Sequence, residues 1–244
     1  MKQFVLAALA VQLAAFSFGG TIIAENSDFE VFSTGPGGSN LGDFGVGDTG
    51  GGSPNLGRRA VVQFSLTGLS GSTVQSATLN LFLIESRLDQ FPDPGTITSS
   101  APFINPGLGD TVVLHVADYG TPDLADYNAA SIGNDPGILI AAAVQPSGAS
   151  MSINIAAALQ QAITAGFSFV TFRIQTATET DNDGLNDIWF FASADNATAS
   201  HRPFLSYEVT TSNGGATTPE PSTFLLAAGA AAALLTRRYL GKQR

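Results

Sequence analysis

Period-two alternation of apolar and polar residues is the main pattern along this chain. In 60–66, Val62, Phe64 and Leu66 share one face while Gln63 and Ser65 take the other. In 74–84, Ala77, Leu79, Leu81 and Leu83 alternate with Thr78, Asn80 and Phe82. Residues 150–155 repeat the pattern through Met151, Ile153 and Ile155, and 111–116, 167–175, 188–194 and 204–210 read as further strands. Glu30 to Phe32 is a short first strand. Helical signals are few. Ala156 to Ala165 is alanine-rich, places Leu159 and Ile163 four apart and meets a stop at Gly166, and a single helical turn is expected near 124–128. Residues 33–57, with ten glycines, and the Pro/Gly-rich stretch 89–109 read as long loops. The sum is about eight strands and one short helix, an all-β antiparallel two-sheet sandwich of jelly-roll type. No internal repeat points to a propeller or solenoid.

The two ends follow a different pattern. Met1-Lys2 opens a run, Phe4 to Phe18, that is apolar apart from Gln12 and Ser17, and Ser17 and Gly19 have the spacing of a signal-peptidase site. Residues 1–20 are therefore expected to be a secretory signal helix, with the mature module at 21–211. A polar linker, 212–218, leads to Pro219-Glu220-Pro221, an apolar run Thr223 to Leu235, and the basic residues Arg237, Arg238, Lys242 and Arg244. As a helix, those 13 apolar residues reach about 20 Å against a hydrocarbon core of about 30 Å, so a transient transmembrane anchor is expected, its basic end on the cytoplasmic side. This tail, 219–244, resembles the PEP-CTERM sorting signal of Gram-negative bacteria. The resemblance implies an exosortase-type membrane enzyme as partner, with Pro219, Glu220, Pro221, Arg237 and Arg238 as the sorting motif. It implies export across the inner membrane, anchoring through the C-terminus, and delivery to the cell surface or extracellular matrix.

Charge narrows the partners. The chain carries a formal −10. Both lysines lie at the ends, so 21–211 holds five arginines (58, 59, 87, 173, 202) against 19 acidic residues, a formal −14. Such a module repels phosphate backbones and anionic lipid, which excludes nucleic acid as a partner and makes calcium an expected one. Cysteine is absent, so stability outside the cell must come from a full-sized core or bound metal.

The order of several short motifs carries a second resemblance. Asn40-Leu41-Gly42 precedes Val46-Gly47, then Arg59 to Leu66 and Val74 to Leu79. Later come Ile153-Asn154-Ile155 with a helix, Phe169 to Ile174, and Arg202-Pro203-Phe204 before the last strand. Over roughly 25–210 this is similar to the DNRLRE, or CBM96-type, extracellular β-sandwich modules, departing from them at Gln63 and by insertions around 89–109 and 128–149. The resemblance implies a non-catalytic module that in some cases binds polysaccharide.

Four acidic residues in Glu179-Thr-Asp181-Asn-Asp183-Gly184-Leu-Asn-Asp187 form the sharpest chemical pattern. Alternate carboxylates before a glycine match part of a calcium loop, since a hard cation needs six to eight oxygens and glycine permits the turn. The distal bidentate Glu of an EF-hand is missing, and an acidic hairpin turn uses the same residues. Arg59, Arg202 and Tyr119 are candidate carbohydrate contacts, against the alternative that both arginines make structural ion pairs or backbone hydrogen bonds. Trp189 alternates in register with Phe191 and is expected in the core. Neither Gly-x-Ser-x-Gly nor His-Glu-x-x-His occurs and no cysteine nucleophile exists, so no enzyme is expected. The alternatives to sugar binding are a structural or adhesive matrix protein and a polysaccharide-degrading enzyme.

Overall fold

The computed structural model describes residues 16–24, 29–39, 42–50, 55–90, 108–117, 124–142, 149–182 and 184–211. All belong to the unit Ala15–Ser212; the other unit, Met1–Ala14 with Asn213–Arg244, lies outside the described residues, and with it the sorting tag and most of the expected signal helix. Among the described residues no helix is long and apolar enough to cross a membrane.

The architecture is antiparallel and mostly β, with few helices. Its strands are β1 (Phe16–Ile23), β2 (Phe29–Phe32), β3 (Gly35–Ser39), β4 (Asp43–Thr49), β5 (Leu56–Ser65), β6 (Ser72–Gln90), β7 (Thr111–Val116), β8 (Gly137–Ile140), β9 (Ala149–Asn154), β10 (Phe169–Thr176), β11 (Leu185–Ala192) and β12 (Phe204–Thr211). The helices are α1 (Leu124–Tyr127), α2 (Ala156–Ala165) and a short 3-10 turn at Ala199–His201. One hydrogen-bonded path runs β1-β12-β6-β11-β4-β5-β10-β7-β8, while β2 joins β5 and β9 joins β6.

The long strand β6 organises this path. Residues 72–80 pair with β12, residues 83–90 pair with β11, and the opposite edge at 78–83 pairs with β9. β6 thereby belongs to two strand sets, β1-β12-β6-β9 and β6-β11-β4-β5-β10-β7-β8. Their apolar faces meet in one core. Ala77, Leu79, Leu81, Leu83, Leu205 and Val209 come from the first set, and Phe44, Val46, Val62, Phe64, Phe172, Ile174, Trp189 and Phe191 from the second. α2 adds Ala158, Leu159, Ala162 and Ile163 to the same core. The Asn154 side-chain oxygen accepts from the Ala156 N–H, and Gly166 ends the helix in the left-handed region, φ 73°.

Alternation also explains a second, smaller cluster. Val61 points away from the main core and packs with Val31, Val116 and Tyr127, so β5 is covered on both faces. Arg173, only 5% exposed, projects to this side as well. Its Nη1 donates to the carbonyls of Asp126, Tyr127 and Ala129, tying α1 to the sheet.

The seven longer strands expected from alternation coincide with β5, β6, β7, β9, β10, β11 and β12. The glycine-rich stretch 33–57, expected as loop, instead holds β3, β4 and the start of β5. Phe44 and Val46 alternate with glycines there, and a glycine lets the neighbouring backbone come close where a side chain would hold it off. β6 continues past residue 84 to Gln90, into the expected loop 89–109. β1 pairs Phe16 through Ile23 with Thr211 through Phe204, so Phe16 to Gly20 of the expected signal peptide lie in a strand.

Candidate metal centre

β4 and β11 lie side by side with three directly opposed pairs on their inward faces: Phe44 with Phe191, Val46 with Trp189, and Asp48 with Asp187. The first pair stacks at 5.7 Å between ring centroids. The last brings two carboxylates to the end of the apolar ladder, and both aspartates are 0% exposed. Opposed like charges destabilise a strand pair. The backbone is pressed close here: Gly47 has φ 137°, and a Cβ on it would stand 1.8 Å from the carbonyl oxygen of Asp187.

The 177–184 loop between β10 and β11 brings a third acid. Its turn uses two left-handed residues, Asn182 at φ 58° and Gly184 at φ 84°. The Asp181 N–H donates to Asp48 Oδ2 at 3.3 Å, and Asn55 Nδ2 donates to the same oxygen at 3.2 Å. The Asn55 N–H in turn donates to Asn182 Oδ1 at 3.1 Å. Asp48 Oδ1, fully buried, has no hydrogen-bond partner.

One carboxylate oxygen from each of Asp48, Asp181 and Asp187 lies within 4.8 Å of the other two. Unit charges 4.8 Å apart repel by about 3 kcal/mol at an effective dielectric near 20. Two oxygens on one calcium, each at about 2.4 Å, stand at most about 4.8 Å apart. The group can therefore hold a metal ion, and its all-oxygen donors suit a hard divalent cation rather than a thiophilic one.

Of the four acids expected to bind metal, Asp181 and Asp187 join this group. Glu179 turns elsewhere: its side chain is 45% exposed, and Oε2 lies 3.7 Å from Arg59 Nη2. Asp183 lies outside the described residues. Asp48 had no place in the expected set, because the loop pattern is local and Asp48 arrives from a distant strand. One signal for it exists in the chain. Phe44, Val46 and Asp48 share a period-two face, so an acid occupies an inward position.

The candidate sugar contacts are placed apart. Arg59 lies over the Tyr127 ring at 3.9 Å, and its Nη1 donates to the Tyr127 carbonyl and, at 3.3 Å, to Asn128 Oδ1. Burial pushes the Tyr127 phenol well above its ordinary range; Arg59 opposes this and the Glu179 carboxylate adds to it. Arg202 Nε donates to the Asn196 carbonyl at 2.8 Å. Arg202 also borders a cavity of about 50 Å³ with Asn80, Phe82, Ser150, Ser200 and His201, where the Phe82 and His201 rings stack at 3.6 Å. Tyr119 lies outside the described residues. Trp189 is 1% exposed, in the core as its register requires.

Two more buried titratable groups sit near these strands. Burial raises the Glu30 carboxyl above its usual range, with Arg58, 2.8 Å away, as the main opposing influence. Burial lowers His115, whose Nδ1 is 3.1 Å from the Gly133 carbonyl. No protein-family model and no curated protein matches this chain.

Proposed function

We propose that this chain is an exported, non-catalytic β-sandwich module of jelly-roll type, delivered to the cell surface or extracellular matrix, which binds calcium through Asp48, Asp181 and Asp187. The single observation that carries the metal part is the buried, directly opposed Asp48–Asp187 pair with Asp181 beside it. All three donors are carboxylates, and calcium is the hard cation abundant outside cells.

Export rests on the two ends of the chain. The apolar N-terminal run directs secretion. The Pro219-Glu220-Pro221 tag with Arg237 and Arg238 is the substrate for an exosortase-type enzyme, after a transient stay in the membrane. The lysine-free acidic module then meets extracellular polymer, with polysaccharide as its ligand on the strength of the DNRLRE-like motif order. Arg59 and Arg202 both hold backbone carbonyls, which favours a second reading beside it: a structural or adhesive matrix protein whose acidic surface is bridged to anionic polymer by divalent ions.

Calorimetric titration of the purified protein with calcium tests the metal, and saturable binding, weakened about tenfold in Asp181→Asn, is the expected result. Retention on polysaccharide affinity gels, with and without calcium, separates sugar binding from the structural reading. Mass spectrometry of the mature protein reports whether both ends are removed.

A further inference from the structure

The acid group lies at a structural seam. β11 and β4 are consecutive in the path that joins β6 to β5, so their pairing connects β6, the strand common to both sets, to the rest of the second set. Asp48 and Asp187 are the next rungs of the inward ladder after Val46 and Trp189. They cannot turn to solvent without breaking the register that buries Phe44, Trp189 and Phe191. Where the strands are paired, the Gly47 backbone is pressed against that of Asp187, which holds the two carboxylates side by side. At Asp48 the described donors are two neutral N–H groups, both on Oδ2, and the buried Oδ1 is bare.

We propose that a divalent cation is a folding requirement for this module: β4 closes on β11 only with the ion between Asp48 and Asp187, so the core is completed in calcium-rich surroundings after export. The inference rests on the calcium and export readings above and adds when the ion acts. Free calcium is scarce in cytoplasm and abundant outside, so the same residues keep the chain open before translocation and lock it afterwards. A site built from strands that are apart in the unfolded chain couples binding directly to folding. Asp181 then closes the loop over the ion, held by its N–H on Asp48.

The single tryptophan of the chain reports this seam. Trp189 is two residues from Asp187 on the same face of β11 and is 1% exposed. The full chain, unfolded in urea, is diluted into mild detergent buffer containing either chelator or millimolar calcium, and Trp189 emission is followed. The expected result is red-shifted, exposed emission in chelator and a blue shift on adding calcium. Asp48→Asn/Asp187→Asn keeps the shape and removes the opposed charges, and it is expected to reach the blue-shifted state in chelator. Asp181→Asn is expected to fold with a calcium midpoint raised about tenfold, a loss of about 1.4 kcal/mol in affinity.

Identical emission and melting of the wild type in chelator and in calcium overturns the inference. If calorimetry still finds calcium bound to that folded protein, the proposed function stands without it; if not, both fall. A double variant that folds but still needs calcium moves the requirement to another site and also overturns it. Should the double variant fail to fold in either buffer, the Asp181→Asn midpoint decides: an unchanged value counts against this site, a raised one supports it.

Discussion

Replacing Gly47 by alanine tests the geometry on which the acid group depends. A Cβ there would stand 1.8 Å from the Asp187 carbonyl oxygen and 2.9 Å from its carbonyl carbon, both of them backbone atoms that no rotamer change can move. Relief requires β4 and β11 to part by more than about 1 Å, which stretches adjacent ladder hydrogen bonds, worth about 0.5–1.5 kcal/mol each. A non-glycine residue in a sparsely populated backbone region adds about 1–3 kcal/mol. With two hydrogen bonds weakened, the total is about 2–6 kcal/mol, a large part of the 5–15 kcal/mol typical of a domain. Gly68 is the control, since it has φ 85° but its Cβ would meet nothing within 4 Å. Gly68→Ala therefore carries only the backbone cost, about 1–2 kcal/mol. Urea unfolding in saturating calcium, followed by Trp189 emission, compares the two. Gly47→Ala should be the less stable by about 1–3 kcal/mol, the hydrogen-bond part of its cost, with a weakened calcium response. Equal midpoints for the two variants would refute the close approach of β4 to β11 and the placement of Asp48 against Asp187.

Arg173→Met removes the donor shared by three carbonyls of 126–129 and should cost about 2–4 kcal/mol, with early proteolysis in 124–142 as the local sign. His115 is buried with its pKa lowered, so below about pH 6.5 the unfolded state takes up the proton first and stability falls with acidification, by at most about 1.4 kcal/mol per pH unit, until the folded pKa is reached. Urea midpoints from pH 7.5 to 5.5 should lose that slope in His115→Leu, which separates it from Glu30, whose raised pKa works in the opposite sense above about pH 4.5. Leu79→Ala, at a fully buried core position, should cost about 2–5 kcal/mol by thermal or urea melting. Glu179→Gln should leave the calcium midpoint unchanged, because Glu179 faces Arg59 and not the three aspartates; a tenfold change would return it to the metal site.

Particular elements show how much of this was legible in the chain. The strands with strict alternation, such as Leu79, Leu81 and Leu83, could be read because burial of one face of a strand imposes a two-residue period whatever the partner strand. β4 escaped because glycine carries no face: in Asp43–Thr49 only Phe44 and Val46 mark the inward side, and glycine density reads as loop. The 19-residue length of β6 escaped because half of it serves one strand set and half the other, a division that depends on which strands lie beside it.

The candidate metal site divides in the same way. Composition and spacing alone determined an acidic, cysteine-free β chain with two atypical ends, and they drew attention to Asp181 and Asp187, which lie close together in sequence. Tertiary structure decided the rest. It excluded Glu179 from the acid group, carrying it to Arg59, and it set Asp48 opposite Asp187 across 139 residues of chain. Cross-strand register is a relation between two segments, selected by how the whole core packs, and no local pattern in either segment encodes it.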